Sequence, residues 1–436
     1  MTKQLERFFS DSNDLLYIPT NKENNTIKRL AMVFAIFSTL GVSIGIPFSG
    51  DNAYYIILTF SLLFLIYKGG IKISMPFLAL YSIILINILV VDIPDFFKPF
   101  QRAVLFIMLT MTCSAAMDTD VGIRFRAYLF RYIIYCILII SVLSFFCFFL
   151  GINLMRFPFL ANGTIENYQS RGGWFSGLTT HSMILGPLSM LSALTFYFLY
   201  QKRSDILYLV LFFVTTMSAV FSSSRASLLG LGIAIIVNLI FGKVVPKVRK
   251  RMVRILALSA ILVIPISGVA FKGLIEKQAA REKQASGLNS RQGKFEYRLN
   301  EFKSSPILGV GFSAIDTTSG DEYDPRTGQI EPGTSHLAAL SMTGILGFAA
   351  YLFILYVAFR TIKRGVTLHT RFLFSCFIAL FVHAWFEGYI FAGGNYLALV
   401  YWLVIGQCID APRVVQMLKR RNKHSVTPKS IAEHLR

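Results

Sequence analysis

Apolar runs long enough to cross a bilayer follow one another along most of this chain, and they leave few other folds open to it. Twelve such stretches occur, at roughly 30–48, 53–67, 73–91, 103–117, 127–152, 177–199, 205–221, 226–242, 253–271, 337–359, 372–390 and 393–409. A helical crossing takes about 20 apolar residues, and inside hydrocarbon every backbone polar group must find its partner within the fold. The composition agrees: 54% of residues are apolar and only 15% charged, against about 25% charged in soluble domains. An ordinary soluble enzyme and a disordered chain are both excluded. The expected fold is therefore all-α, a polytopic membrane protein of about 12 transmembrane helices. The first 28 residues are polar and the first apolar run is long enough to span, so no cleavable signal peptide is expected.

Polar sequence is concentrated in one place. Residues 272–335 form the long polar stretch, and a shorter one runs from about 153 to 176. The expected organisation is a segment 1–29, helices one to nine over 30–271, the long loop 272–335, helices ten to twelve over 336–409, and a basic tail 410–436.

The net charge of +20 raises the question of a nucleic-acid partner, and its distribution answers it. With the N-terminus inside, the alternating loops place 29 of the 43 Lys and Arg residues inside and 14 outside. Nine acids fall inside, so the whole net charge is cytoplasmic. That is the positive-inside pattern, suited to anionic lipid head groups, and nucleic-acid binding is not expected. The same alternation puts both polar loops outside, where a binding or active surface is then expected. The five cysteines, Cys113, Cys136, Cys147, Cys376 and Cys408, lie in or beside apolar runs, which offers neither a disulfide framework nor metal-ligand spacing.

Few residues on the outer side could carry chemistry. Arg225 stands between two apolar runs in Ser222-Ser223-Ser224-Arg225-Ala226-Ser227. Such an arginine is functional, paired, or a snorkelling residue at the membrane edge. In the long loop, Arg291, Phe295, Arg298 and Phe302 share one face of a helical pattern. Two arginines and two phenylalanines there suit an anionic ligand with an apolar tail, or a helix lying on head groups. Pro306 closes that helix, and Gly309-Val310-Gly311 permits a tight turn. Thr334 or Ser335 is a candidate N-cap for the tenth span, putting His336 in its first turn. A helix N-terminus favours neutral imidazole, the form a general base requires; a boundary histidine without chemistry is the alternative. Glu387 is an acid within the eleventh span near its outer end. His181 and His383, inside spans, read as hydrogen-bonding groups of the bundle. Asp118 and Asp120 form a DxD pattern in a short inside loop, and Asp321, Glu322 and Asp324 an acidic run; both read as solvated.

With these residues in view, the chain resembles the O-antigen ligase and O-antigen polymerase superfamily of bacterial membrane glycosyltransferases. The likeness is carried by Arg171-Gly-Gly-Trp174-Phe-Ser-Gly177, by SSSRASLLG from Ser222 to Gly230, by Asn289-Ser-Arg291 with Phe295 and then Pro306-Ile-Leu-Gly309-Val-Gly311, and by Ser335-His336 with Gly344 and Gly347. The motifs cover about residues 165–350. Phe295 stands where the family usually has tryptophan, and Leu337 where it usually has asparagine. The resemblance implies an undecaprenyl-diphosphate-linked glycan as donor. The acceptor is another glycan repeat unit for a polymerase or lipid A core for a ligase; the motifs do not separate the two, and Leu337 sits better with the more divergent polymerases. It also implies that Arg225 and Arg291 hold the diphosphate, with Arg171 or Arg298 assisting, and that His336 is the base. Glu387 would lie on the acceptor side. No cofactor and no metal are expected; other polysaccharide-assembly membrane proteins would be partners. The place would be the bacterial inner membrane, with the site periplasmic. A transporter or flippase of lipid-linked sugars is the rival reading.

The topology has a direct test. Ser319→Cys should react with a membrane-impermeant thiol reagent on intact spheroplasts and Ser425→Cys should not; the reverse labelling would invert the orientation.

Overall fold

The computed structural model describes residues 8–12, 15–16, 25–43, 51–156, 165–166, 175–241, 250, 253, 290–317, 323–324, 329–330, 333–363 and 367–425. Its helices are α1 (Asn25–Ser43), α2 (Asp51–Gly69), α3 (Met75–Val90), α4 (Pro99–Cys113), α5 (Asp120–Phe149), α6 (Ser182–Arg203), α7 (Ile206–Phe221), α8 (Arg225–Phe241), α9 (Ser290–Ser304), α10 (Ser335–Lys363), α11 (Leu368–Ala384) and α12 (Tyr396–Ser425). The described strand content is two antiparallel pairs of two residues each, Met155–Arg156 with Ile165–Glu166 and Tyr323–Asp324 with Gln329–Ile330. The protein is an all-helical bundle. Among the described residues, five helices are long and apolar enough to cross a membrane: α1, α5, α6, α10 and the first 21 residues of α12. A helix stands at every expected span except the ninth, 253–271, of which all but residue 253 lies outside the described residues. Helices such as α3, α7, α8 and α11 are equally apolar but have 16 or 17 residues, about 25 Å at 1.5 Å per residue.

Local chemistry sets the helix ends. Thr119 caps α5 by accepting from the Gly122 amide at 3.1 Å, and Asp205 caps α7 through Leu207 at 3.1 Å. His181 Nδ1 accepts from Met183 N at 3.0 Å, so α6 starts at Ser182 rather than at 177, and His181 is a cap rather than a residue within a span. At the other end of the chain the expected eleventh span, 372–390, stops at Ala384. Residues 385–395 are turns, with glycines at 388, 393 and 394. Glu387 thus lies in a connection, half-buried, and not within a helix.

Of the five long apolar helices, α6 is the most enclosed, followed by α12. They are wrapped by α5, α7, α8, α11 and α10. A close aromatic group joins the elements beside α12: Trp402 packs on Phe77, Phe106 and Tyr351, and its indole Nε1 donates to the Ile390 carbonyl at 2.8 Å.

The tenth expected span is the main departure. Gly344 has φ 62° and ψ −168° inside α10, so the helix divides into residues 335–343 and 345–363. The second piece alone, about 28 Å long, matches a bilayer crossing. The break is filled by the segment that follows α9. Val310 N donates to Ser341 O at 2.9 Å, Gly311 N to Met342 O at 3.3 Å, and Ile345 N to Pro306 O at 2.9 Å. Asn87 of α3 completes it: its amide donates to Leu308 O and Met342 O at 2.5 and 3.2 Å, and its carbonyl accepts from Phe312 N at 2.6 Å. A side chain at Gly309 would meet the Ser341 carbonyl, and one at Gly344 the Ile307 carbonyl.

Ion pairs close the end of the bundle opposite to Ser335. Arg126 Nε bonds Asp410 at 2.7 Å with both side chains buried. Asp118 pairs with Lys72 and Arg413; burial pushes its carboxyl up, but the two cations outweigh this and hold it below the usual range. Asp118 of the DxD pattern is thus tied into the fold, while Asp120, the first residue of α5, is exposed. Asp11, on the short helical stretch 8–12, is fully buried and accepts from Arg203 at 2.6 Å, Tyr208 at 3.0 Å and Lys202 at 3.3 Å.

A glycine substitution tests the break. Backbone conformations like that of Gly344 are nearly restricted to glycine and cost about 1–3 kcal/mol in other residues, before the contact with Ile307. Gly344→Ala should lower the melting temperature in detergent sharply. Gly232→Ala, in a helix with open space around it, should hold or slightly raise it. Equal melting of the two variants would refute the description of the break.

Candidate functional site

The motif-bearing segments converge on the last turns of α11. Gly230, five residues into α8, lies against the Ala379 carbonyl, where a Cβ would sit 2.7 Å away. Two residues further along α11, the Phe381 carbonyl accepts from His336 Nε2 at 3.0 Å. The beginnings of α8 and α10, more than a hundred residues apart in sequence, are thereby placed at the same end of one helix.

Arg225 is the first residue of α8 and is exposed. The link before it is tight: Ser222 ends α7, Ser223 has φ 55°, and Ser224 Oγ meets Ser227 Oγ at 2.7 Å. Gly186 of α6 gives this link room, since a Cβ there would strike Ser224. A guanidinium set on a helix N-terminus adds a full charge to the positive end of the dipole, an arrangement suited to an anion.

His336 is 2% exposed. A carbonyl can only accept, so Nε2 carries the proton. Nδ1 then has the lone pair, and it faces the Tyr351 hydroxyl at 3.1 Å. Tyr351 is bonded in turn to the Tyr401 hydroxyl at 2.6 Å. The consistent assignment runs from Tyr401 to Tyr351 to Nδ1. The ring is packed among Phe381, Trp385 and Tyr351 at centroid distances of 4.6, 4.9 and 5.9 Å. His336 is enclosed and hydrogen-bonded at both nitrogens, an environment that favours neutral imidazole. Trp385, 37% exposed, lies between the ring and the outside.

Neither expected cap behaves as one. The Ser335 hydroxyl donates to the Glu387 carbonyl at 2.6 Å and accepts from Tyr389 N at 2.9 Å, binding the 387–390 connection to the start of α10. The buried Thr334 hydroxyl has no hydrogen-bond partner among the described residues. Glu387 is brought beside Ser335 and His336 through its backbone.

The loop arginines separate. Arg298 is 1% exposed and bonds Glu301 at 2.8 Å; Glu301 also accepts from the Asp316 amide at 2.9 Å. The stripe of Phe295, Arg298 and Phe302 turns toward the protein, with Glu296, Leu299 and Asn300 outward. Arg298 is therefore part of an internal ion pair. Arg291 stands in the first turn of α9. One turn on, the stem of Lys294 lies against Gly333, three residues before His336. Arg171, Asp321 and Glu322 lie outside the described residues.

Sequence reasoning did not find Tyr351, Tyr401 or Trp385. On a straight helix, residues 336 and 351 would be about 22 Å apart. Only the break at Gly344 brings them together, and no spacing rule announces it.

The Arg298 assignment has a stability test. Arg298→Ala leaves a buried carboxylate without its cation, which costs about 3–5 kcal/mol, so it should fail by loss of folded protein. The double variant Arg298→Met with Glu301→Leu should recover folding. Intact folding of Arg298→Ala would return Arg298 to the group of ligand arginines. No protein-family model matches the chain, and no curated protein matches it as a relative.

Proposed function

We propose that the protein is a membrane glycosyltransferase of the O-antigen polymerase or ligase type, moving a glycan from an undecaprenyl-diphosphate carrier to an acceptor hydroxyl on the outer face of a bacterial inner membrane. In this reading the bundle has about twelve spans and both termini are cytoplasmic. What supports it is that the beginnings of α8, whose first residue is Arg225, and of α10, which carries His336, lie at the same end of α11 through Gly230 and His336, beside a loop segment that brings Lys294 to Gly333.

The roles follow from the chemistry. Arg225 at the α8 N-terminus holds the diphosphate: guanidinium matches phosphate oxygens with a planar fork and stays charged at low dielectric. Positive charge fixed there also stabilises the leaving diphosphate as its charge develops. Arg291, in the first turn of α9, is the second diphosphate arginine in this reading. His336 takes the acceptor proton at Nδ1, the one basic atom it has, once the acceptor hydroxyl replaces Tyr351 there. Glycan repeat unit or lipid A core as acceptor are both compatible with this arrangement.

The transporter reading draws on the broken α10, because broken helices mark transporter sites. There, however, the freed carbonyls face the transported ion or solute. Here Ser341 and Met342 carbonyls are taken by Val310, Gly311 and Asn87, which leaves the transferase reading ahead.

Single-turnover transfer from a purified lipid-linked donor, with donor affinity measured separately, tests the roles. Arg225→Lys should lose most activity through weaker donor binding. His336→Ala should slow transfer by about 10²–10⁴-fold while donor binding persists. Tyr351→Phe should keep transfer within a few-fold, because the acceptor takes its place. Near-normal transfer by His336→Ala would refute the base role. If Tyr351→Phe falls as far as His336→Ala, the proton passes through the tyrosine.

A further inference from the structure

A second feature of the same end of the molecule lies away from His336. The connection between α3 and α4 folds as a short 3₁₀ turn, Asp95–Phe97, pinned by the buried ring of Phe97 and by Ile93, which fills the space left open at Gly311. Beside it is an open surface cavity of about 560 Å³ lined by the exposed Asp92, Asp95, Lys98, Phe100 and Gln101, with Ile88 and Val91 as its apolar wall. That volume falls within the roughly 300–1,000 Å³ of small-ligand sites.

We propose that this cavity binds the carbohydrate portion of a substrate, a short neutral oligosaccharide. The lining has the chemistry for it. Two carboxylates accept hydrogen bonds from hydroxyls, the Lys98 ammonium donates to them, and the Gln101 amide does both. Phe100, 66% exposed, offers a ring face to the C–H side of a sugar. Two acids against one lysine make the cavity a poor site for a diphosphate, which belongs with Arg225, so the two ends of a lipid-linked glycan would be sorted by charge. The cavity is also joined to the site by packed residues. Gly311 contacts Ile93; Phe312 packs on Phe391 at 5.5 Å; and the neighbouring Ile390 amide reaches Ser335 Oγ at 3.3 Å, next to His336. Arg102, one residue after Gln101, fastens the same wall to the loop by donating to the Ser313 carbonyl and hydroxyl at 3.2 and 3.0 Å.

The inference rests on the transferase reading for its substrate class, but its test does not. Full-length protein in lipid nanodiscs would be probed by saturation-transfer NMR with neutral tri- to pentasaccharides built from glucose, galactose, rhamnose and N-acetylglucosamine. Binding of at least one probe is expected. It should weaken about tenfold or more when the hydrogen-bonding carboxylates are removed in Asp92→Asn with Asp95→Asn. Phe100→Ala should weaken it similarly, and Phe100→Trp should preserve it. Arg225→Ala should leave it unchanged. No binding by any probe, or equal binding by wild type and the Asp92→Asn, Asp95→Asn, Phe100→Ala protein, would overturn the proposal; Phe100 would then be a membrane-edge anchor. Saccharide binding that persists in a protein without transfer activity would reject the transferase reading and keep the cavity. Transfer whose KM for acceptor is untouched by these variants, with no probe bound, would do the reverse.

Discussion

One amide side chain, Asn87 of α3, ties the irregular segment 306–312 to the end of the first piece of α10, where the helix break leaves backbone groups to be satisfied. A helix interrupted in or near hydrocarbon exposes N–H and C=O groups, and each left unpaired there costs several kcal/mol. Asn87 uses two donors and an acceptor on Leu308, Met342 and Phe312, and the amides of Val310, Gly311 and Ile345 settle most of the rest. The break at Gly344 can exist because of this, and much depends on the break. It turns the first piece of α10 back so that His336 meets Tyr351, and it seats the loop segment 306–312 against α3. The glycines at 309, 311 and 344 serve that one close crossing of backbones.

The positions of the helices were legible in the sequence because the apolar runs are long and the breaks between them chemically sharp. Pro306 was read correctly as a stop: α9 ends at Ser304. The glycines at 309 and 311 were read as a turn, and they are one, but a turn fitted to a helix break rather than to a ligand. Two kinds of feature were not legible. The first is contact made through the break, such as His336 with Tyr351, since it depends on a single backbone conformation 8 residues away from one partner and 7 from the other. The second is the choice of partner for a charged residue on an amphipathic stripe. Arg291 and Arg298 are equivalent in helical phase, and only the placement of Glu301 and the Asp316 amide decides that Arg298 is internal.

The end of the bundle opposite to Ser335 refines the charge count in the same way. A simple count gives that side a large positive excess diluted by nine acids. Three of those acids, Asp11, Asp118 and Asp410, are engaged with Arg203, Lys202, Lys72, Arg413 and Arg126 inside the fold. They hold helices to one another and are withdrawn from the surface. Arg126 is buried with Asp410, whereas Lys72, Arg413 and Arg203 stay partly exposed beside their acids, so the positive sign of that end is unchanged. The pairs also fix α5 to α12 and the 8–12 stretch to the α6–α7 turn, at the end away from His336. A rearrangement near Trp385 can therefore occur while the other end stays locked.

That asymmetry bears on how a transferase of the proposed kind would avoid hydrolysing its own donor. Water is the competing acceptor in any glycosyl transfer, and a base open to solvent would activate it. His336 is not open: Trp385 and Phe381 cover the ring, and Tyr351 occupies Nδ1. Displacing Tyr351 breaks a hydrogen bond in a buried aromatic setting, and a lone water gains little there to offset it. A sugar hydroxyl arrives with a ring that can pack on the half-exposed indole of Trp385 and with neighbouring hydroxyls to bond elsewhere. In such a transferase the binding energy of the rest of the acceptor would open the base, and the base would be exposed only to the molecule that should receive the glycan.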